Sequence, residues 1–265
     1  MLEPLPTLRA PDRPALRFAR QLPASAALGW LSAGWQDVRA APGASLFYGL
    51  VLTLISYAVI LALHACGLLY LVLPAISGFL IIGPFLAIGL YEKSRRRGAG
   101  QTTGLAKLLA FRPVSGGQLA FGGLLLCLLV IFWIRAADLL YALYFGLMPF
   151  PGAAEALTNV LTTPRGGALI VTGLLVGGLF AAFAFAISVF SIPMLISRKT
   201  DALTAMGLSL VMTVQNLRPM LAWGVLVATG LLVSLLTGFV GLILVFPVLG
   251  HGTWHAYCAI AGNDA

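Results

Sequence analysis

The chain has 265 residues, 60% of them hydrophobic and only 9% charged, with a formal charge of +8 and a mean hydropathy of +1.00. Soluble domains carry roughly 25% charged residues, so a soluble fold is excluded. The basic residues flank apolar runs and no nucleic-acid motif accompanies them. Membrane topology and anionic lipid headgroups account for the charge, and nucleic acid is not an expected partner.

Residues 1–23 read as a disordered basic tail carrying Arg9, Arg13, Arg17 and Arg20. No apolar core of signal-peptide type precedes Ser45, so the first span is expected to serve as its own insertion signal. Residues 24–258 form one integral membrane domain, and 259–265 a short C-terminal tail. Leu28, Leu31, Trp35 and Val38 share one helical face opposite Ser32, Gln36 and Arg39. That pattern predicts an amphipathic helix lying along the membrane interface with its apolar face towards lipid.

A span needs about 20 apolar residues to cross the hydrocarbon. Runs at 45–63, 68–91, 119–146 and 168–196 qualify. The region 220–257 is too long for one span, and its TGFVG break at 237–241 divides it into 220–236 and 239–257. Six spans result. A second amphipathic stripe, Leu203, Met206, Leu210, Val214 and Leu217, precedes the fifth, with Thr200 or Asp201 as its N-cap. The loop at 147–167 is the longest on the opposite side and can hold a short helix around 154–161.

Five Lys or Arg residues precede the first span, six lie between spans two and three (Lys93, Arg95, Arg96, Arg97, Lys107, Arg112), and three between spans four and five (Arg198, Lys199, Arg218). The opposite loops hold Arg165 alone. This asymmetry places both termini in the cytoplasm.

Three segments share a Pro followed by an aromatic-Gly entry into a span: RAAPGASLFYGL (39–50), FRPVSGGQLAFGG (111–123) and LRPMLAWG (217–224). A further Pro recurs near the end of each second helix, at Pro84, Pro193 and Pro247. The expected architecture is therefore all-α: a polytopic transmembrane bundle of six spans arranged as three helical hairpins, each preceded by a short cytoplasmic interfacial helix. The competing explanation is that membrane segments resemble one another through Leu, Gly and Ala alone.

Few residues offer chemistry. In HGTWHAY (251–257), His251 and His255 stand four apart on one helical face. Counted from residue 239, His255 lies about 24 Å along the helix, near the inner interface, with His251 about 6 Å deeper. Trp254 and Tyr257 read as interfacial anchors. The histidines either bond to neighbouring helix ends and headgroups or form a proton-linked or metal site. Two ligands are half a set, and no Glu stands between them, so a zinc protease is excluded. No metal or cofactor is expected. Eight residues beyond each repeat Pro come Glu92, Asp201 and His255. If the hairpins pack with threefold pseudosymmetry, these three converge with His251 in one polar cluster. Otherwise Asp201 caps a helix and Glu92 pairs with Arg95 or Arg96.

Arg135 and Asp138, three apart inside the third span, form an intramembrane ion pair about 24–28 Å from the inner face, which approaches the outer interface rather than the midplane and lets Arg135 snorkel outward. The pair either neutralises itself or serves as an outer gate or partner contact. His64 falls at the outer end of the first span. Cys66, Cys127 and Cys258 fall at different depths and suggest neither disulfide nor metal cluster.

The motifs GWLSAGWQDVRAAPGASLFYGL, IGPFLAIGLYEKSRR and FPVLGHGTWHAY, in that order, resemble the integral membrane proteins of domain-of-unknown-function family 2189, over about residues 29–257. The resemblance implies a multi-span inner-membrane protein of proteobacteria. It supplies no established activity, so no catalytic residue carries over. Some members bear the label of cytochrome c oxidase subunit I, but that enzyme needs more haem- and copper-binding histidines than the three in this chain. The favoured function is a non-enzymatic accessory or assembly protein that binds lipid, another membrane protein or a second copy of itself. A small transporter or channel, and a membrane enzyme or metal or haem binder using His251 and His255, are the alternatives.

Overall fold

The computed structural model describes residues 18–68, 71–101, 104, 111–146 and 152–262. Arg9, Arg13, Arg17, Lys107, the first part of the 147–167 loop and the last three residues lie outside these. The described residues are all-helical, with eleven helices: α1 (Ala26–Ala40), α2 (Pro42–Ala65), α3 (Val72–Leu86), α4 (Ile88–Gly98), α5 (Gly116–Phe145), α6 (Ala153–Thr162), α7 (Pro164–Ser188), α8 (Ser191–Ser197), α9 (Ala202–Gln215), α10 (Leu217–Leu236) and α11 (Leu242–Ala261).

Six helical segments are long and apolar enough to cross a bilayer: Pro42–Ala65, Pro74–Gly98, Gly116–Phe145, Pro164–Ser197, Leu217–Leu236 and Leu242–Ala261. The region 220–257 is thus two spans. Its turn uses left-handed backbone at Gly238 and Phe239. Phe239 is held there by its N–H donating to the Ser234 carbonyl at 2.7 Å and by its ring meeting Tyr57 edge-on. The short helix expected after the third span is α6.

Local chemistry sets the helix ends. Thr163 caps α7, accepting from the Gly166 N–H, with Pro164 at the first helical position. Asp201 caps α9, accepting from the Thr204 N–H at 2.8 Å. The break between α7 and α8 is patched by α9. Ser209 donates to the Ala186 carbonyl and accepts from the Phe190 N–H, so both orphaned backbone groups are satisfied.

α11 is the axis of the basic end. It packs most extensively on α1 and α2, and also on α4 and α10, while α3, α5 and α7 pack together. Consecutive spans α5 and α7, and α10 and α11, are neighbours, but α2 has α11 rather than α3 as its main partner. The contacts therefore do not follow the three-hairpin scheme at its first member. The reason is steric. Gly49 on α2 lies against the backbone of Ile243, and Gly34 on α1 against Val248 and Gly252, so bare backbone surfaces set the partners rather than chain order.

α1 turns Ala27, Trp30, Gly34, Asp37 and Val38 inward. Leu28 and Trp35 of its predicted stripe stay exposed, as do Leu203, Leu210 and Val214 along α9 and Leu217 at the start of α10, whereas Met206 of that second stripe turns inward. Trp254 and Tyr257 are not interfacial anchors: both are buried. Tyr257 is held inside because its hydroxyl accepts from the Arg198 guanidinium at 2.8 Å, which satisfies the polar tip without lipid headgroups.

A Cβ on residue 34 would collide with the Val248 carbonyl and sit 2.7 Å from the Gly252 nitrogen, whereas one on residue 29 meets nothing within 4 Å. Gly34→Ala is expected to destabilise by about 1–3 kcal/mol through overpacking. Gly29→Ala is expected to be neutral or to stabilise by up to about 1 kcal/mol through helix propensity. Denaturant unfolding of the two variants in detergent checks the contrast.

Candidate functional site

The buried ionisable groups gather where α1, α2, α4 and α11 meet at the basic end. α11 brings His251 to this junction, fully buried. The glycines beside it make room: Leu90 packs at Gly250, and Trp223 and the Trp30 carbonyl at Gly252. α1 contributes Asp37, α2 contributes Ser45, and α4 contributes Lys93, Ser94 and Arg97. All but Arg97 are buried.

The hydrogen bonds close on one another. The Lys93 ammonium donates to Ser45 Oγ and to the Ala41 carbonyl. Ser45 Oγ lies 2.9 Å from His251 Nε2, and Ser94 Oγ lies 2.7 Å from His251 Nδ1. The Ser94 hydroxyl donates to Asp37 Oδ2. Arg97 donates to Asp37 Oδ1, and His255 Nε2 sits 3.0 Å from Asp37 Oδ2.

Burial alone would raise the Asp37 pKa. Hydrogen bonds from His255 and Ser94, with the nearby imidazoles, outweigh that and hold its carboxyl below the ordinary value of 3.8. It is therefore an anion at neutral pH, the counter-charge of Lys93 and Arg97. Both ring nitrogens of His251 are taken by serines, which leaves that imidazole no free lone pair for a metal. Among the described residues, no three His, Cys, Asp or Glu side chains are grouped to hold a metal ion.

Of the proposed cluster Glu92, Asp201, His251 and His255, only the two histidines meet, and they meet through Asp37. Glu92 is buried but faces Arg95 at 2.7 Å and Arg96. Asp201 is occupied as the α9 cap. Arg135 and Asp138 pair with each other at 3.2 Å on the outward side of α5. His64 is exposed. A cavity of about 70 Å³ lies between α3, α7, α10 and α11, walled mainly by apolar side chains such as Phe79, Pro84, Phe185, Leu231 and Phe246; none of the network residues lines it.

Sequence reasoning missed Asp37, Ser45, Lys93 and Ser94. Asp37 is the sole acid of α1, but it lies off the predicted apolar stripe, and its inward position beside Val38 is seen only in the structure. In the sequence Lys93 reads as a topological charge, and serines in apolar helices carry no signal of their own.

Replacing Asp37 with Asn leaves Lys93 and Arg97 without their counter-charge. It is expected to cost about 3 kcal/mol, the lower end for breaking a buried pair. Because the folded pKa of Asp37 lies below its unfolded value, its contribution is complete above about pH 4 and lost as pH falls through the lowered value. Acid titration of unfolding free energy should slope in the wild type over that interval and slope less in Asp37→Asn.

No curated protein and no solved structure matches the chain. A family model matches from α3 to α8. It takes in Lys93, Ser94 and Arg97 but leaves Asp37, Ser45, His251 and His255, and two of the three sequence motifs, outside it. Over that block the chain is similar to the family described as Predicted integral membrane protein (DUF2189), whose model matches residues 72–197.

Proposed function

We propose that this protein is a non-enzymatic accessory or assembly component of a bacterial inner membrane, with both termini in the cytoplasm, and that it works by binding membrane-spanning segments side by side through α5. The observation that carries this reading is the Arg135–Asp138 pair. The Arg135 side chain is 75% exposed and that of Asp138 39%, within a helix that otherwise offers Phe132, Leu139 and Leu143 to its surroundings. Even near the outer interface, an ion pair left on a lipid-facing helix is only partly solvated, and docking against a polar partner satisfies it more fully. The occupant that fits by construction is a second copy. Around a twofold axis along the membrane normal, Arg135 of each protomer reaches Asp138 of the other, as isologous interfaces require. The tight mutual engagement of the buried ionisable groups supports a scaffold more than a reaction centre.

Cys127 is exposed and lies eleven residues before Asp138, within about 20° of it around the helix. It therefore reports on this face. In a Cys66→Ser, Cys258→Ser background in lipid vesicles, a short bis-maleimide is expected to link protomers at Cys127. Arg135→Leu with Asp138→Leu is expected to abolish the dimer while leaving the monomer folded. A chain that stays monomeric at every lipid ratio would overturn the reading.

A further inference from the structure

The network at the basic end has a polarity that its two ends dictate. An ammonium can only donate, and a carboxylate can only accept. Lys93 therefore donates to Ser45, and the Ser45 hydrogen is left to point at His251 Nε2. That nitrogen must then be bare, so the imidazole hydrogen sits on Nδ1 and goes to Ser94. The Ser94 hydrogen in turn goes to Asp37 Oδ2. The atoms lie in hydrogen-bond contact at each of these four steps.

We propose that Lys93, Ser45, His251, Ser94 and Asp37 form a proton relay, in which one proton passes from the buried ammonium to the buried carboxylate as His251 exchanges one neutral tautomer for the other. The steps balance. Lys93 gives a proton to Ser45, which gives its own to His251 Nε2. His251 releases the Nδ1 proton to Ser94, which gives its own to Asp37. The products are a neutral amine, a neutral carboxylic acid and an imidazole protonated at Nε2. Every hydrogen bond is remade in the opposite sense. Any intermediate arrangement leaves a buried donor or acceptor unpaired, or a charged imidazole with no exposure, which the surrounding packing penalises. The relay therefore has two complete states, an ion pair and a neutral pair.

The groups facing the relay set the balance between them. From α4, Arg97 donates to Asp37 Oδ1, and from α11, His255 touches Asp37 Oδ2. Both are partly exposed, at 42% and 34% of their side chains, so both read conditions at the membrane surface. From α1, Arg39 turns away onto the Trp35 ring. From α2, Ser45 is the only member. From α10, Trp223 donates to Thr253 and carries no charge. With Arg97 in place the carboxylate is favoured, because the guanidinium donates directly to Asp37 Oδ1 and an adjacent cation stabilises the anion. Whatever draws Arg97 from Asp37, such as an anionic headgroup, shifts the proton across α4 and α11 towards Asp37. The relay lets charge at the surface be felt on α2 without a conformational change.

The test is the tautomer of His251 in ¹⁵N-histidine-labelled protein in lipid vesicles, read from its two ring-nitrogen shifts. The wild type is expected to show Nδ1 protonated and Nε2 bare. Arg97→Gln, with Arg97→Leu as a second variant, touches neither His251 nor either serine. Each is expected to exchange the two shifts, with Nε2 becoming the protonated nitrogen. In the same variants carrying Ser94→Ala, the response to residue 97 is expected to vanish. A wild-type imidazole protonated on Nε2 or on both nitrogens would overturn the proposal. So would an unmoved tautomer in folded Arg97 variants, or an equal response with Ser94 removed.

Discussion

Asp37 accepts hydrogen bonds from two residues of α4 and sits against His255 of α11, and α1 itself carries the carboxylate. An uncompensated charge at this depth would cost several kcal/mol, so the helices bearing its partners are held in register with it. α1 is too short to span a bilayer and leaves Leu28 and Trp35 exposed. Its attachment to the spans rests on this carboxylate and on the close approach at Gly34. The arrangement turns a surface helix into a strap across the ends of α4 and α11.

Lipid offers no hydrophobic drive for helices to associate, so close backbone approach and polar contacts decide which surfaces meet. α11 supplies both. Its backbone receives Gly34 from α1 and Gly49 from α2, and its own Gly250 and Gly252 receive Leu90 and Trp223. Between those two glycines stands His251, fully buried and bonded on both ring nitrogens. The run GHG (250–252) thus combines notch and peg: the two glycines let neighbours in, and the imidazole between them fastens them. The other spans show a different economy. α2 and α7 bury little of their surface within the protein, as helices facing hydrocarbon are expected to do.

Composition and run length were enough to establish six apolar helices and the division at 237–241, because a bilayer imposes length and apolarity on every span. Helix phase was legible for α9, whose Asp201 cap and exposed apolar stripe follow from residue order. The packing order was not. Nothing in the periodicity of α2 distinguishes α3 from α11 as its partner, since the decision lies in which glycine meets which backbone. The site was half legible. His251 and His255 stood out as rare polar residues at helical spacing, but their partners came from three other helices. Counting eight residues past each proline led to Glu92 and Asp201, both satisfied locally by neighbours within four residues. The true acid sat one residue from Val38, and its position on the inward face of α1 was visible only once that face was known. Trp254 and Tyr257 were misplaced for a related reason: amphipathic aromatic side chains suit an interface and a hydrogen-bonded core equally well.

The central claim is that one buried carboxylate fastens α1 to the ends of α4 and α11. Amide hydrogen exchange measured helix by helix in lipid nanodiscs tests it most directly, comparing the wild type with Asp37→Asn. The account expects protection of Ala26–Ala40 to fall selectively, with α5, α7 and α10 exchanging as before. Undiminished protection across α1 in the variant would contradict it.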